Sequence, residues 1–206
     1  MADESSSSAA EHLNAGGPVR RLRADARRNR ERVLEAAREA FADEGVSVPL
    51  DEIARRAGVG PGTVYRHFPS KEALVEAVIF GRLQRLGEEA RALGTAADPG
   101  RAFFDFSARM VVEGAAKRDL VEALAGAGVR EPQVAGSLVA QQLREAFGQL
   151  LQRAQHAGAV RPDVSTTDVM AVLTGASQAM RQHADDSDVA DRVLAVVCDG
   201  LRPGRG

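Results

Sequence analysis

Residues 46–72, Val-Ser-Val-Pro-Leu-Asp-Glu-Ile-Ala-Arg-Arg-Ala-Gly-Val-Gly-Pro-Gly-Thr-Val-Tyr-Arg-His-Phe-Pro-Ser-Lys-Glu, carry the reading that decides the fold. Ile53, Ala54 and Ala57 form one apolar stripe at helical spacing, Gly58 is free to take the left-handed turn conformation, and Val59 fills the corner. Gly60-Pro61 then opens a second short helix, with proline in the first turn, where its missing N–H costs nothing. Val64 and Phe68 face inward, which leaves Thr63, Arg66 and His67 on the exposed side, where Tyr65 either joins them or buries its ring and offers its hydroxyl. These are hydrogen-bonding and cationic groups of the kind that phosphates and base edges demand. The segment is a helix-turn-helix, and it predicts a DNA-binding protein.

Charge along the chain agrees. The formal net charge is −2 over 206 residues, which taken alone argues against a nucleic-acid partner. The distribution is uneven: residues 18–71 hold 12 Arg/Lys against 8 Asp/Glu, residues 1–17 hold none against 3, and residues 72–206 hold 15 against 18. The positive excess therefore sits on the helix-turn-helix segment, as attraction to phosphates requires. Just upstream lie Arg20, Arg21, Arg23, Arg27, Arg28 and Arg30, a basic run that reads either as the solvated start of a helix or as an arm lying along phosphates or entering the minor groove.

The stretch from Ile53 to Leu74, with its upstream continuation through Arg30–Gly45, resembles the DNA-binding signature of the TetR family of bacterial transcriptional regulators. The resemblance covers about the first third of the chain; beyond Leu74 it extends only to helix count and length. Gly60 departs from the serine-like cap common in the family, and glycine is worse there by only a few tenths of a kcal/mol. The resemblance implies phosphate contacts from Tyr65, His67 and Lys71, and places Pro61, Gly62 and Thr63 nearest the base edges. Arg66 has the chemistry to bond guanine, or it points to solvent. The start of the fourth helix, Ser70-Lys71, offers a dipole end and free N–H groups for one phosphate.

The remaining chain reads as helices throughout, and the fold class is all-α: a three-helix head joined by a long fourth helix to a body of six helices. Residues 1–18 read as a disordered tail, 19–70 as the DNA-binding head, and 71–202 as the effector-binding and dimerisation body. Val33, Leu34, Ala37 and Phe41 stripe a first helix from about Ala24 to Glu44. The fourth, from about Lys71 to Leu93, turns Leu74, Val75, Val78, Ile79, Leu83 and Leu86 inward, long enough to reach from head to body. A further helix holds Phe103, Phe104, Phe106, Met110, Val111 and Val112, and Gly126-Ala127-Gly128 marks a turn. The next helix, from Pro132 to about Ala157, presents Val134, Leu138, Leu143, Phe147 and Leu150. Ser165-Thr166-Thr167-Asp168 is a capping box opening the eighth helix, and a ninth follows Asp185-Asp186.

Nothing in the sequence builds a catalytic or metal centre. The histidines His12, His67, His156 and His183 are dispersed, a single cysteine excludes the usual zinc cluster, and no cofactor motif is present. Gly58-Val59-Gly60-Pro61-Gly62 lacks the strand and the Gly-Lys-Ser/Thr ending of a phosphate loop. Cys198, among Val196, Val197 and Leu201, reads as a buried thiol. No apolar run approaches a membrane span and the acidic start is unlike a secretory signal, so the expected place is the cytoplasm.

The family resemblance implies a small-molecule pocket in the body, and Phe103, Phe106, Met110, Phe147, Met170 and Gln178 are the candidate lining. It also implies a homodimer through a four-helix bundle of the last two helices. Two stripes suit that role: Val169, Val172, Leu173, Ala176 and Met180, and Val189, Val193, Val196 and Val197; Gly175, Ala176 and Ala179 permit close approach. The expected function is a repressor that leaves its double-stranded operator when an effector binds. The alternative is an effector-free DNA-binding or architectural dimer, and an apolar pocket of several hundred Å³ separates the two. An all-α enzyme with a DNA-binding head is disfavoured by the missing acid/base cluster.

Overall fold

In a computed structural model the chain is described for residues 18–126, 136–183 and 186–204, and all regular structure among them is helical. The α-helices are α1 (Pro18–Asp43), α2 (Leu50–Arg56), α3 (Pro61–His67), α4 (Lys71–Leu93), α5 (Pro99–Gly126), α6 (Leu138–His156), α7 (Thr166–Gln182) and α8 (Ser187–Leu201), with a 3-10 turn at Gly45–Ser47. The all-α head-and-body arrangement stands as expected. Among the described residues, however, the body has five helices rather than six, because the chain from Pro99 to Gly126 runs as one helix. Gly114 does not interrupt it. A Cβ there would come within 2.5 Å of Ser177 Oγ, so this glycine is the point where α5 and α7 touch.

Helix boundaries follow local chemistry. Ser165 accepts from the Asp168 amide at 3.2 Å while the Asp168 carboxylate accepts from the Ser165 amide at 2.9 Å, the reciprocal cap expected from the sequence. Ser70, Ser137 and Asp186 cap α4, α6 and α8 through the amides of Ala73, Ala140 and Val189. Gly158 (φ 69°) turns the chain out of α6, and the Arg161 amide then donates to the Leu201 carbonyl at 2.9 Å, fastening the end of α8 to that turn.

Two cores organise the molecule. The head core gathers Val33, Ala37 and Phe41 of α1, Ile53 and Ala54 of α2, Val64 of α3, Phe68, and Leu74, Val75, Val78 and Ile79 from the first half of α4. The body core holds Leu86 and Ala90 from the second half of α4 with Phe103, Phe106, Leu143, Phe147, Leu150 and Leu173. Leu83 packs against both. A second link comes from α5, whose Leu120 is buried in the head core and whose Val121 packs against it. The head therefore rests on two helices of the body.

Several sequence expectations shift in the body. Leu138, expected inward, is the first residue of α6 and is exposed. Val112 is likewise on the outer side of α5. Val169, Leu173 and Ala176 are buried within the protomer and face its core, whereas Val172 and Val196 lie outside. Cys198 is half-buried rather than fully enclosed, and burial pushes its thiol pKa up. The expected tail falls outside the described residues except for Pro18, and so do Pro132, Val134, Ala127, Gly128 and Asp185.

Candidate functional site

The turn of the helix-turn-helix is built by three backbone bonds and one side chain. The Ala57 amide donates to the Ile53 carbonyl at 2.9 Å, Gly58 to Arg55 at 3.1 Å, and Val59 to Ala54 at 3.0 Å, with Gly58 left-handed at φ 61°. Two carbonyls that this turn leaves open, Ala57 and Gly58, accept from Arg32 Nη2 at 2.5 and 2.6 Å. Arg32 comes from α1, so one guanidinium ties the turn to the first helix. Nothing in helical periodicity points to it, since Arg32 sits beside the core stripe as an ordinary surface cation.

α3 follows the turn. Gly60 adopts an extended conformation (φ −69°, ψ 148°), Pro61 occupies the first helical position, and the Thr63 amide donates to the Gly60 carbonyl at 2.9 Å. Val64 and Phe68 are buried, which fixes the rotation of the short helix. Pro61, Gly62, Tyr65 and Arg66 are consequently exposed, Tyr65 at 49%, while Thr63 and His67 are half-buried. Tyr65 thus offers a partner both an apolar ring and a hydroxyl at its tip. The His67 ring leans on Phe68 with centroids 6.3 Å apart, and Arg30 of α1 lies over the Phe68 ring, its guanidinium carbon 5.3 Å from the centroid. Arg30 is thus placed beside the end of α3, although in sequence it is only one member of the basic run.

Lys71 is committed elsewhere in part. Its ammonium donates to the carbonyls of Val46 at 2.7 Å and Ser47 at 3.2 Å, holding the 3-10 turn against the start of α4. Two of its three protons are used there. The basic run is helical: Arg20, Arg21 and Arg23 lie within α1, which begins at Pro18 rather than near Ala24. Arg23 is exposed; Arg27 pairs with Glu31 and Arg28 with Asp25 on the same helix. Helix formation wins because Leu22, Ala24 and Ala26 are helix formers and no glycine or proline intervenes.

On the far side of α2, the two carboxylate oxygens of Glu52 accept from Arg55 (2.7 and 2.7 Å), and one of them also accepts from Arg56 (2.8 Å), which in turn reaches Glu44. Arg55, and then Arg56, hold the Glu52 carboxyl at a pKa of about 2, well below its ordinary 4.5.

The body contains a cavity of about 190 Å³ between α4, α5, α6 and α7, smaller than the several hundred Å³ expected of an effector pocket. Its wall includes Ile79, Leu83, Leu86, Leu143 and Leu173, with Arg82, Glu113, Lys117 and Arg118 among its polar members. Of the six residues expected to line a pocket, Met110 and Met170 do so. Phe103, Phe106 and Phe147 are instead fully buried in a ring cluster, Phe103 stacked on Phe147 at 5.6 Å and Phe106 tilted against it at 6.1 Å. Mutual burial of three rings outweighs exposing any one of them to a void, at roughly 1.5–3 kcal/mol per side chain. Gln178 is half-buried on α7 outside the wall. Among the described residues no group of His, Cys, Asp or Glu could hold a metal ion, and no helix is long and apolar enough to cross a membrane.

Comparison with known proteins agrees with this architecture. Residues 33–78 match the family described as bacterial regulatory proteins, tetR family, and residues 98–203 match the C-terminal domain of SbtR-like transcriptional regulators. The HTH-type transcriptional regulator UidR of Escherichia coli strain K12 is 32% identical over 190 residues, which span 88% of this chain and 93% of that protein. The crystal structure of a TetR transcription regulatory protein from Mycobacterium vanbaalenii is 48% identical, with 88% of this chain and 99% of that one covered and a TM-score of 0.70. A TetR transcriptional regulator from Streptomyces coelicolor is 32% identical over 85% of this chain and 99% of its own, at a TM-score of 0.68. With its helix-turn-helix head and its helical body both matched, the chain belongs to the TetR family of DNA-binding transcriptional regulators.

Proposed function

We propose that the protein is a homodimeric repressor whose two α3 helices read a palindromic operator, and whose operator affinity falls when a small molecule occupies the body cavity. In this reading residues 19–70 bind DNA and residues 71–202 sense the effector and dimerise. Pro61, Gly62 and Thr63 approach base edges; Tyr65 and His67 contact phosphate, joined by Arg66 and Arg23 as exposed cations and by the third proton of Lys71.

The observation that carries the switch is the position of the cavity. Its wall takes Ile79 and Val121 from the head core and its flanking layer, and Leu86, Leu143 and Leu173 from the body core, with Leu83 touching both. A molecule entering there separates α4 from α5, the two helices on which the head rests. α5 also packs on the Gly45–Ser47 turn, whose carbonyls hold Lys71. Close-packed cores respond to such a wedge by shifting whole helices rather than compressing. Two heads reading successive major grooves must keep a spacing of about 34–36 Å, so a small swing of α4 suffices to misplace one of them.

Dimerisation is supported by the outer surface of α7 and α8, where Val172 and Val196 are exposed, Val196 at 71%. Gly175 lies open: a Cβ placed there would meet nothing within 4 Å, so a second copy can come close.

The test uses operator sequences selected from a random duplex pool and fluorescence anisotropy with and without ligands found by thermal shift. A cavity ligand is expected to weaken operator binding roughly 5–150-fold, and by linkage to bind the DNA complex less tightly by the same factor. A ligand held in the cavity that leaves operator affinity unchanged refutes the switch and favours an effector-free dimer.

A further inference from the structure

We infer that the cavity selects a small amphiphilic carboxylic acid, with an apolar body about the size of one aromatic ring and a carboxylate held at the rim by Arg82 and Arg118. The inference rests on the effector reading above and names the class of molecule it takes.

The interior sets the body of the ligand. Leu86, Met110, Leu143, Met170 and Leu173 supply apolar wall. The two hydroxyls on the α7 side are already donors to their own helix: Thr174 Oγ1 to the Met170 carbonyl at 2.8 Å, and Ser177 Oγ to the Leu173 carbonyl at 2.8 Å. With those protons committed, hydroxyls that a polyhydroxylated guest placed against this interior, away from the cations, would be left unmatched, a cost of about 1–3 kcal/mol for each buried group. The volume of about 190 Å³ is modest. An apolar cavity of ~150 Å³ accommodates benzene, so this one holds a single substituted ring or an aliphatic body of similar bulk.

The charged members set the head group. They are three cations, Arg82, Lys117 and Arg118, against one acid, Glu113. Arg82 is largely enclosed, with 15% of its side chain exposed, and meets Glu113 through one contact at 3.9 Å. That distance is beyond a hydrogen bond, so most of its five donors remain available. Arg118, exposed on the same cavity wall, has no hydrogen-bond or ion-pair partner among the described residues. A carboxylate matches a guanidinium fork in two parallel bonds, which an amide or alcohol does not. A cationic guest would face a net excess of like charge, and a second negative charge would face Glu113.

The experiment uses the full chain and three probes with one body: 4-methylbenzoate, 4-methylbenzamide and 4-methylbenzylamine, measured by calorimetry and by thermal shift near neutral pH. 4-Methylbenzoate is expected to bind at least about tenfold more tightly than the amide, with no binding of the amine. Arg118→Gln, at an exposed position where folding is not at stake, and Arg82→Gln should each cut the acid-over-amide preference to about threefold or less while leaving amide affinity in place. Equal binding of amide and acid, preference for the amine, retention of the preference in both variants, or no binding by any benzoate carrying methyl to butyl at the para position would each overturn the inference. Operator anisotropy with the same probes separates the two claims. Acid binding without operator release removes the switch and leaves the ligand class; operator release by the amide at the same concentration as by the acid does the reverse.

Discussion

The head and the body solve the same packing problem from opposite ends of the sequence scale. The helix-turn-helix is assembled mainly from residues 50–71, where the backbone bonds span a few positions and a glycine, a proline and a serine cap set the path. The cavity wall draws on residues from Ile79 to Ser177, brought together by four helices. A site of the first kind is written in spacing. A site of the second kind depends on how helices rotate against one another, which is settled only when every apolar stripe has competed for the interior.

The contrast is tested most severely at the body core. Phe147→Ala removes the ring that contacts both Phe103 and Phe106, and should lower stability by about 3–5 kcal/mol, read as a shifted midpoint in urea. Because α4 is shared, loss of helicity and loss of DNA binding should track one another along that curve. A head that still binds DNA after the body has melted would mean the two cores are not mechanically joined.

A smaller effect is expected at the turn. Gly58→Ala forces a side chain into the left-handed region at φ 61° and brings its Cβ to 2.7 Å from Arg32 Nη2. The left-handed conformation costs roughly 1–2 kcal/mol, and displacement of the clamp adds to it. Operator affinity should fall with little change in the Phe103–Phe147 cluster, so near-ultraviolet signals of the rings stay constant. An unchanged melting curve would show that Arg32 yields freely and the turn tolerates the residue.

At the interface itself the expected change is in binding alone. Tyr65 is half exposed and stands outside the core, so Tyr65→Ala should leave the melting temperature near that of the parent while weakening operator and unrelated DNA alike, by roughly five- to tenfold for one lost hydrogen bond and its desolvated surroundings. Equal affinity of the variant and the parent at two salt concentrations would remove Tyr65 from the interface.

The slightest and most local prediction concerns pH. Glu52 titrates at about 2 when folded against an ordinary 4.5, so its contribution is present above the unfolded value and is lost as pH falls through the folded one. Glu52→Gln should therefore melt below the parent by a constant small margin above about pH 5, and that margin should close as pH approaches about 2. A margin independent of pH across this window would assign the effect to packing rather than to the Arg55 and Arg56 pairs.

Within the head, legibility reaches the level of individual residues: the left-handed Gly58, Pro61 at the first helical position, buried Val64 and Phe68, exposed Arg66, with Thr63 and His67 half-buried rather than outward. It fails where a side chain acts at long range. Arg32 and Lys71 both cap carbonyls 25 positions away in the chain, and a capping cation looks the same in sequence as a solvated one. In the body the three phenylalanines expected to line a pocket are core, since periodicity says which side of a helix is inward but not which inward side meets a void.

Sequence alone therefore determined the all-α class, the helix-turn-helix, the family, the caps at Ser70 and Ser165, and the inward stripe of α4, all consequences of local spacing and turn chemistry. Tertiary structure decided that α5 is a single helix touching α7 at Gly114 and the head core at Leu120, and that the cavity lies where α4 and α5 part. The reason is physical: a turn is governed by the residues within it, whereas a cavity is the space that several independently packed surfaces fail to fill.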